Sequence, residues 1–393
     1  MIIRPSDRIG GVKTYYFATK LAEIAAMNAA GQDILNLGIG SPDLSPPKEI
    51  IETLREASLS PDANKYQPYR GIPELRHAFA HHYEKMLHAS INPDTEVLPM
   101  IGSKEAVMHI SMAFLNKGDQ VLVPNPGYPS YRATAELAEA EAIYYDLKEE
   151  NNWLPDIDAL EKSDLRRVKI MWINYPNMPT GTNISYEDLR KLVLFAKKHS
   201  ILLCHDNPYN FILNDAPKSI FSIPEAKECC LELYSLSKCF NMAGWRIGGL
   251  IGRSDYIDCV LRYKSNMDSG MYRPIQLAAA KALYLEQDWF DQLNKVYIER
   301  RKRVHELFDL LDCDYSEESS GLFVWAKAPS YIKDVPAWVD DILHQAKVFI
   351  TPGFIFGSNG KDYVRVALCS KSEQFMAARR RIESQFVKSI ALS

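Results

Sequence analysis

The sequence predicts an α/β protein: a large domain with a mostly parallel central sheet flanked by helices, and a smaller α+β domain. Three observations lead there. From about residue 100 short β-branched or aromatic runs alternate with longer helical patterns, the signature of βαβ units. Beyond about residue 286 the rhythm changes to one long charged helix and then fewer strands with helices between them, as in an α+β layer. The chain has 393 residues, 47% hydrophobic and 24% charged, the balance of a soluble globular protein with a large core.

In order, "ATKLAEIAAMNAAG" reads as a helix stopped by Gly31, with no pattern to assign it to either domain. "QVLVP" is a strand followed by the helix "PSYRATAELAEA"; "AIYYDL" and "KIMWINYP" are strands, "SYEDLRKLVLFAKKHS" a helix, and "ILLCHD" and "LELYSLS" strands again. "WFDQLNKVYIERRKRVHELFDLL" is the long helix. After it come "GLFVWAKA", a helix around "AWVDDILHQAK", "VFITPG", "YVRVALC" and a terminal helix. There is no internal repeat and no low-complexity linker.

The net charge is -4 with charges mixed along the chain, so there is no basic footprint for nucleic acid or an anionic membrane. No stretch approaches the roughly 20 apolar residues of a membrane helix, and "MIIRPSDRIGG" lacks the apolar core of a secretion signal. The expectation is a cytoplasmic protein with small-molecule partners. Its seven cysteines show no C-x-x-C pairing or framework spacing and read as reduced core thiols.

The chemistry concentrates at strand ends, where open α/β sheets bind ligands. In "YSLSKCFNMAGWRIGG" Lys238 follows an apolar strand, and Ser235, Ser237 and Arg246 surround it with hydroxyls and a planar cation. A desolvated lysine near other cations becomes a nucleophile for aldehydes, and the guanidinium fits phosphate oxygens. The set suits an aldehyde that carries a phosphate. In "LCHDNPYNF" Asp206 closes a strand, where a carboxylate can hold a ring nitrogen protonated, and Tyr209 follows at the turn. "MIGSKEAVMHISMAF" opens a helix at Gly102 and Ser103, whose first amides can face an anion. "NPGYPSY" places Tyr128 after "QVLVP", and "INYPNMPTG" makes a tight turn after "KIMW". Each piece alone has an ordinary structural reading as a cap, a turn or a packed ring. Their convergence on one crevice is what carries the reading.

Two features are set aside. His77 and His81 in "HAFAHH" stand one helical turn apart, but no further ligand motif accompanies them, so no metal site is expected. "LGIGSPD" lacks the third glycine and the distal acidic residue of a dinucleotide fingerprint.

From "LNLGIGSPDL" to "YVRVALC", and above all in "SLSK" followed by "GWRIGG", the chain resembles the fold-type I, pyridoxal-phosphate-dependent aminotransferases of class I/II. Through "EVLPMIGSKEA", "VLVPNPGYPSY" and "KSNMDSG" it is similar to their LL-diaminopimelate and aspartate aminotransferase-like branch. The resemblance implies pyridoxal 5'-phosphate as cofactor, a large cofactor-binding domain over 46–286, and a small domain formed by 1–45 with 287–393. It implies that Lys238 forms the Schiff base and then moves the proton between the substrate Cα and the cofactor. Asp206 would pair with the pyridinium nitrogen, Tyr209 with the phenolic oxygen, and Tyr128 would stack on the ring. Ser103, Lys104, Ser235, Ser237 and Arg246 would hold the phosphate. Arg365 would grip the substrate α-carboxylate, and Tyr15 and Gly40 would line the pocket. Tyr66 and Asn266 would enter from the neighbouring subunit, which implies a homodimer with shared active sites. The reaction implied is ping-pong transfer of an amino group from an amino acid to a 2-oxo acid, 2-oxoglutarate being the expected acceptor.

Two positions depart from the family pattern. Its Asn-Pro-Thr-Gly turn, whose asparagine bonds the phenolic oxygen, has Met178 here, and a thioether is a weak acceptor that cannot donate; Asn174 or Asn177 would substitute if the turn shifts. Where the plant-type diaminopimelate enzymes carry a glutamate three residues past the tyrosine, this chain has Tyr69. For a dicarboxylate substrate, Arg262 and Arg273 are the nearby arginines. A PLP-dependent C–S lyase or decarboxylase on the same fold, and a non-catalytic PLP-binding regulator, remain open as alternatives.

Overall fold

The computed structural model describes residues 3–10 and 16–387; Tyr15 lies outside them. The predicted α/β architecture is present. Thirteen strands are named in chain order: β1 (Leu35–Asn36), β2 (Val97–Met100), β3 (Gln120–Asn125), β4 (Glu141–Asp146), β5 (Val168–Ile173), β6 (Leu202–Asp206), β7 (Cys230–Ser235), β8 (Gly248–Gly252), β9 (Asp314–Tyr315), β10 (Phe323–Lys327), β11 (Val348–Phe349), β12 (Thr351–Pro352) and β13 (Tyr363–Ala367). The central sheet has the order β2-β8-β7-β6-β5-β3-β4. Only β8 runs against its neighbours, and the other pairings are parallel.

Strands β5 to β8 are buried almost throughout because helices cover both faces, which is why they read as continuous apolar runs. The two-residue alternation of a strand divides their side chains between two cores. Ile170 and Trp172, Leu202 and Cys204, and Leu231 and Leu233 face the core that includes Val107 and Ile110 of helix Ser103–Phe114. Met171, Ile173, Leu203 and Tyr234 face the other, larger core. Asp206 continues the parity of Leu202 and Cys204. Its carboxylate therefore turns toward the Ser103–Phe114 side of the sheet.

The chain places β4 outside β3 and returns to set β5 on the other side of β3, so the strand order reverses there. This switch point opens a crevice beyond the carboxyl ends of the strands. The C-terminal part builds a second, antiparallel sheet in the order β12-β13-β10-β9, which packs into the larger core. The segment after helix Tyr16–Ala29 joins it: β1 pairs with β11 in parallel, and Ala367 N donates to Leu37 O at 2.8 Å. Residues 35–40 are thereby carried across to the mouth of the crevice. All seven cysteines are unpaired thiols, and among the described residues no helix is long and apolar enough to cross a membrane.

Candidate active site

A cavity of about 400 Å³ lies at the switch point between the two sheets. Its lining includes ten of the residues singled out in the sequence: Gly40, Ser103, Lys104, Tyr128, Asp206, Tyr209, Ser235, Ser237, Lys238 and Arg246, with Arg365 facing them from β13. A larger depression of about 760 Å³ follows helix Tyr186–Lys198 at the surface. Its lining contains none of the residues singled out in the sequence for chemistry.

Strand β7 ends at Ser235, and Lys238 rides on the single helical turn Leu236–Cys239 that follows, where Ser235 Oγ accepts from Ser237 N at 3.2 Å. The turn points the amine into the cavity. Its Nζ donates to Gly40 O at 2.5 Å, so the segment delivered by β1 holds the amine in place. Burial lowers the Lys238 pKa, and the Arg365 and Arg246 charges push the same way. That favours the neutral, nucleophilic amine.

Asp206 at the end of β6 is buried. Its Oδ2 accepts from Tyr131 Oη at 2.8 Å, whereas Oδ1 has no hydrogen-bond partner. Burial pushes its pKa up to about 6, against the lowering effects of the Tyr131 hydrogen bond, His205 and Lys238. An unmatched carboxylate oxygen in such a place is costly unless a donor meets it. A protonated ring nitrogen is such a donor.

The anion end of the cavity is built where helix Ser103–Phe114 begins. Gly102 caps it at φ +83 with no side-chain acceptor for the first amides. A Cβ at Gly102 would collide with the Arg246 guanidinium, so glycine is required both by the backbone angle and by the close approach. Arg246, itself left-handed at φ 54, is held by Ala243 O at 2.9 Å and Ser237 Oγ at 3.3 Å. A helix end without a side-chain cap, two serines and a fixed guanidinium form a cradle that could hold a phosphate. Amine, unmatched carboxylate and cradle together fit a planar pyridine aldehyde bearing a phosphate.

Opposite the cradle, Arg365 is buried on β13 and donates to Gly38 O at 2.8 Å. Its guanidinium lies 4.0 Å from the Phe323 ring centroid and 4.6 Å from that of Phe356, a stacked arrangement that leaves the charge poorly hydrated. Met178 Sδ stands 3.4 Å from Arg365 Nη1. Asn174 donates to Asp206 O and accepts from Met178 N, and Asn177 donates to Asn174 O and accepts from Thr180 Oγ1. Both amides hold the turn, and Asn174 also lines the cavity.

Tyr128 caps helix Pro129–Leu137 and meets Tyr131 edge-on at 5.5 Å, while Tyr209 sits edge-on to Phe323 at 5.6 Å. Tyr66 and Asn266 are not in this cavity. Tyr66 is 92% exposed, and Asn266 is exposed on a segment joined to it through the Gln67–Gly270 bridge. Arg262 and Arg273 do not line the cavity either; Arg273 pairs with Glu74 at 3.1 Å. His77 and His81 are exposed on helix Pro73–Leu87. Sequence reasoning missed Tyr131, although it lies three residues past Tyr128 in the first turn of the same helix, a spacing that puts both on one face.

The family described as aminotransferase class I and II matches residues 32–382. The chain is 40% identical over 371 residues to an LL-diaminopimelate aminotransferase of Dehalococcoides mccartyi, covering 94% of this chain and 95% of the relative. It is 38% identical over 385 residues to transaminase BacF of Bacillus subtilis, covering 98% and 96%. The substrate-bound structure of BacF superposes with a TM-score of 0.92 over 98% of each chain. A mutant Thermus thermophilus aspartate aminotransferase, 26% identical, superposes at 0.90 over 97% of this chain and 99% of that one. With an amine, an unmatched carboxylate and a phosphate cradle in one cavity, and a family match over almost the whole length, the chain belongs to the class I and II aminotransferases, enzymes that depend on pyridoxal phosphate.

Proposed function

We propose that the enzyme moves an amino group from an α-amino acid to a 2-oxo acid, with 2-oxoglutarate as acceptor, in two half-reactions that share one cavity. The observation that carries this is the placement of Lys238 and the unmatched Asp206 oxygen on one side of the cavity and Arg365 on the other. Pyridoxal phosphate supplies an electron sink for charge developing at the substrate Cα. Lys238 carries the proton to and from that carbon, because its amine is buried, lowered in pKa and held by Gly40 O. Asp206 holds the ring nitrogen protonated. Tyr209 donates to the phenolic oxygen, and Tyr128 packs against the ring. Ser103, Lys104, Ser235, Ser237 and Arg246 fix the phosphate. Arg365 receives the α-carboxylate as a two-pronged donor, and its aromatic sandwich fixes the plane of that fork.

Tyr66, 92% exposed, next to Gln67, which bridges to Gly270 of the segment that carries exposed Asn266 and Met267, supports a shared site in a homodimer. Diaminopimelate and aspartate both remain in the donor panel: the first is named by a relative, and the second by a structural neighbour.

The test is an absorbance scan of the cofactor-loaded protein, mixed in turn with single amino acids and no 2-oxo acid. Transamination predicts that the band of the lysine-bound cofactor gives way to that of its amine form, and the responding amino acid identifies the donor. A persistent band with accumulating pyruvate and ammonia marks a lyase, and a persistent band with release of carbon dioxide a decarboxylase. A band that no amino acid changes marks a binding protein.

Met178 gives a second prediction. Met178→Asn restores an amide donor beside the cofactor's phenolic oxygen. A hydrogen bond to a charged group is worth about 1.5–3 kcal/mol, so the variant is expected to bind pyridoxal phosphate roughly tenfold or more tighter. Fluorescence titration of the cofactor-free protein measures this, and an unchanged Kd would show that the position does not face that oxygen.

A further inference from the structure

Beneath the phosphate cradle lies a group of charged side chains that the reaction above does not use. Glu105, in the first turn of helix Ser103–Phe114, accepts from Ile101 N at 2.6 Å through Oε2. It thereby fixes the backbone that leads into Gly102. One turn on, His109 is 2% exposed, and its Nε2 lies 3.0 Å from Glu105 Oε1 and 3.6 Å from Asp268 Oδ2. Lys264, 1% exposed at the end of helix Ser254–Lys264, places Nζ 2.5 Å from Asp268 Oδ1 and 3.9 Å from Glu105 Oε1. Ligand atoms of Glu105, His109 and Asp268 come within 4.8 Å of one another, a spacing that a metal ion would also accept. The Lys264 amine already lies against these carboxylates, so Lys264, Asp268 and Glu105 make a charged cluster with His109 packed beside it.

The cluster joins two parts of the surface that the sequence separates by some 160 residues. One end is the Ile101–Lys104 turn. The other is the Asn266–Gly270 segment, in which Asp268 N donates to Lys264 O at 3.0 Å. Gly270 pairs with Gln67 and approaches so closely that a Cβ there would lie 2.5 Å from Gln67 O. Tyr66 is next in the chain. Lys264 is buried and the two carboxylates are half-buried, and a buried amine resists losing its partner because it would be stranded in low dielectric, so the contacts tie the turn to the segment.

We propose that Glu105, His109, Lys264 and Asp268 are positioning residues that couple occupancy of the phosphate cradle to the Asn266–Gly270 segment. The inference rests on the cradle reading given above. Filling the cradle orders the Ile101–Lys104 turn, Glu105 passes that order to Lys264 and Asp268, and the segment that carries Asn266 stiffens. The same link makes a well-ordered segment favour cofactor binding.

Hydrogen–deuterium exchange on the full-length protein, with and without pyridoxal phosphate, tests this in the wild type and in Asp268→Asn. In the wild type the cofactor is expected to slow exchange tenfold or more both at 101–106 and at 265–271. In Asp268→Asn it is expected to slow 101–106 and leave 265–271 nearly unchanged. Glu105→Gln keeps an acceptor for Ile101 N without the charge, and is expected to uncouple the two peptides in the same way if Asp268→Asn does not fold. Equal protection of 265–271 in wild type and variants overturns the proposal, as does a wild type in which 101–106 responds and 265–271 does not. If 101–106 is not protected although the cofactor's lysine-bound absorbance is present, the cradle reading falls and the coupling with it.

Discussion

Lys238→Met is expected to lower turnover by more than about a thousandfold and to abolish the visible absorbance of the lysine-bound cofactor, while leaving the fold intact. Methionine fills the space of the lysine stem without an amine, so on the proposed function what is lost is the covalent hold and the proton carrier. The same variant carries a stability signature. Burial lowers the Lys238 pKa, so the folded protein opposes the charged form and is destabilised relative to the unfolded chain wherever the unfolded lysine is charged. That destabilisation is complete below the lowered pKa and vanishes as pH rises past the ordinary lysine value, about 10.4. The cofactor-free variant is therefore expected to melt above the cofactor-free wild type at neutral pH, with the gap closing as pH approaches that value. Calorimetry across pH measures the gap. A variant that melts lower at every pH would mean that Lys238 is part of the packing and is not held there at a cost for chemistry.

How much of this was legible in the sequence depends on the range of the interactions. The strand-end groups were legible because a parallel sheet puts every β-to-α turn on one edge, so apolar runs followed by polar turns predict convergence without any pairing information. Lys238, Asp206 and Tyr128 each came from that rule, and Ser103 from a helix start. What stayed hidden came from contacts that no local pattern specifies. Gly40 O reaches Lys238 only because β1 pairs with β11, more than 300 residues away. Met178 meets Arg365 across the two sheets, and the Glu105–Lys264 cluster depends on two helices packing side by side. The turn bonds of Asn174 and Asn177 were hidden for a related reason. Both amides hold the backbone around Met178, and composition could not show that engagement.

Asp206→Asn is expected to separate function from stability in the opposite senses. The carboxylate has one oxygen matched by Tyr131 and one unmatched, and burial pushes its pKa up to about 6. An acid with a raised folded pKa binds its proton more tightly folded than unfolded, so the cofactor-free protein loses stability as pH rises from the ordinary aspartate value, about 3.9, toward 6. Above that window the ionised group costs on the order of 1–3 kcal/mol, and the variant, which has nothing to ionise, is expected to be more stable by that amount at pH 7. Loading the cofactor reverses the comparison. On the proposed function a pyridinium N–H would supply the missing donor and an opposite charge for Asp206, whereas an asparagine would give neither the charge nor a reason for the ring nitrogen to keep its proton. Losing one member of a buried ion pair costs about 3–5 kcal/mol, which corresponds to a fall in kcat of about two to four orders of magnitude. Chemical denaturation of the cofactor-free proteins and single-turnover absorbance of the loaded ones read the two effects separately. A variant that is both less stable at pH 7 without cofactor and as fast as wild type with it would remove Asp206 from the electron sink and return it to the role of a capping residue at the end of β6.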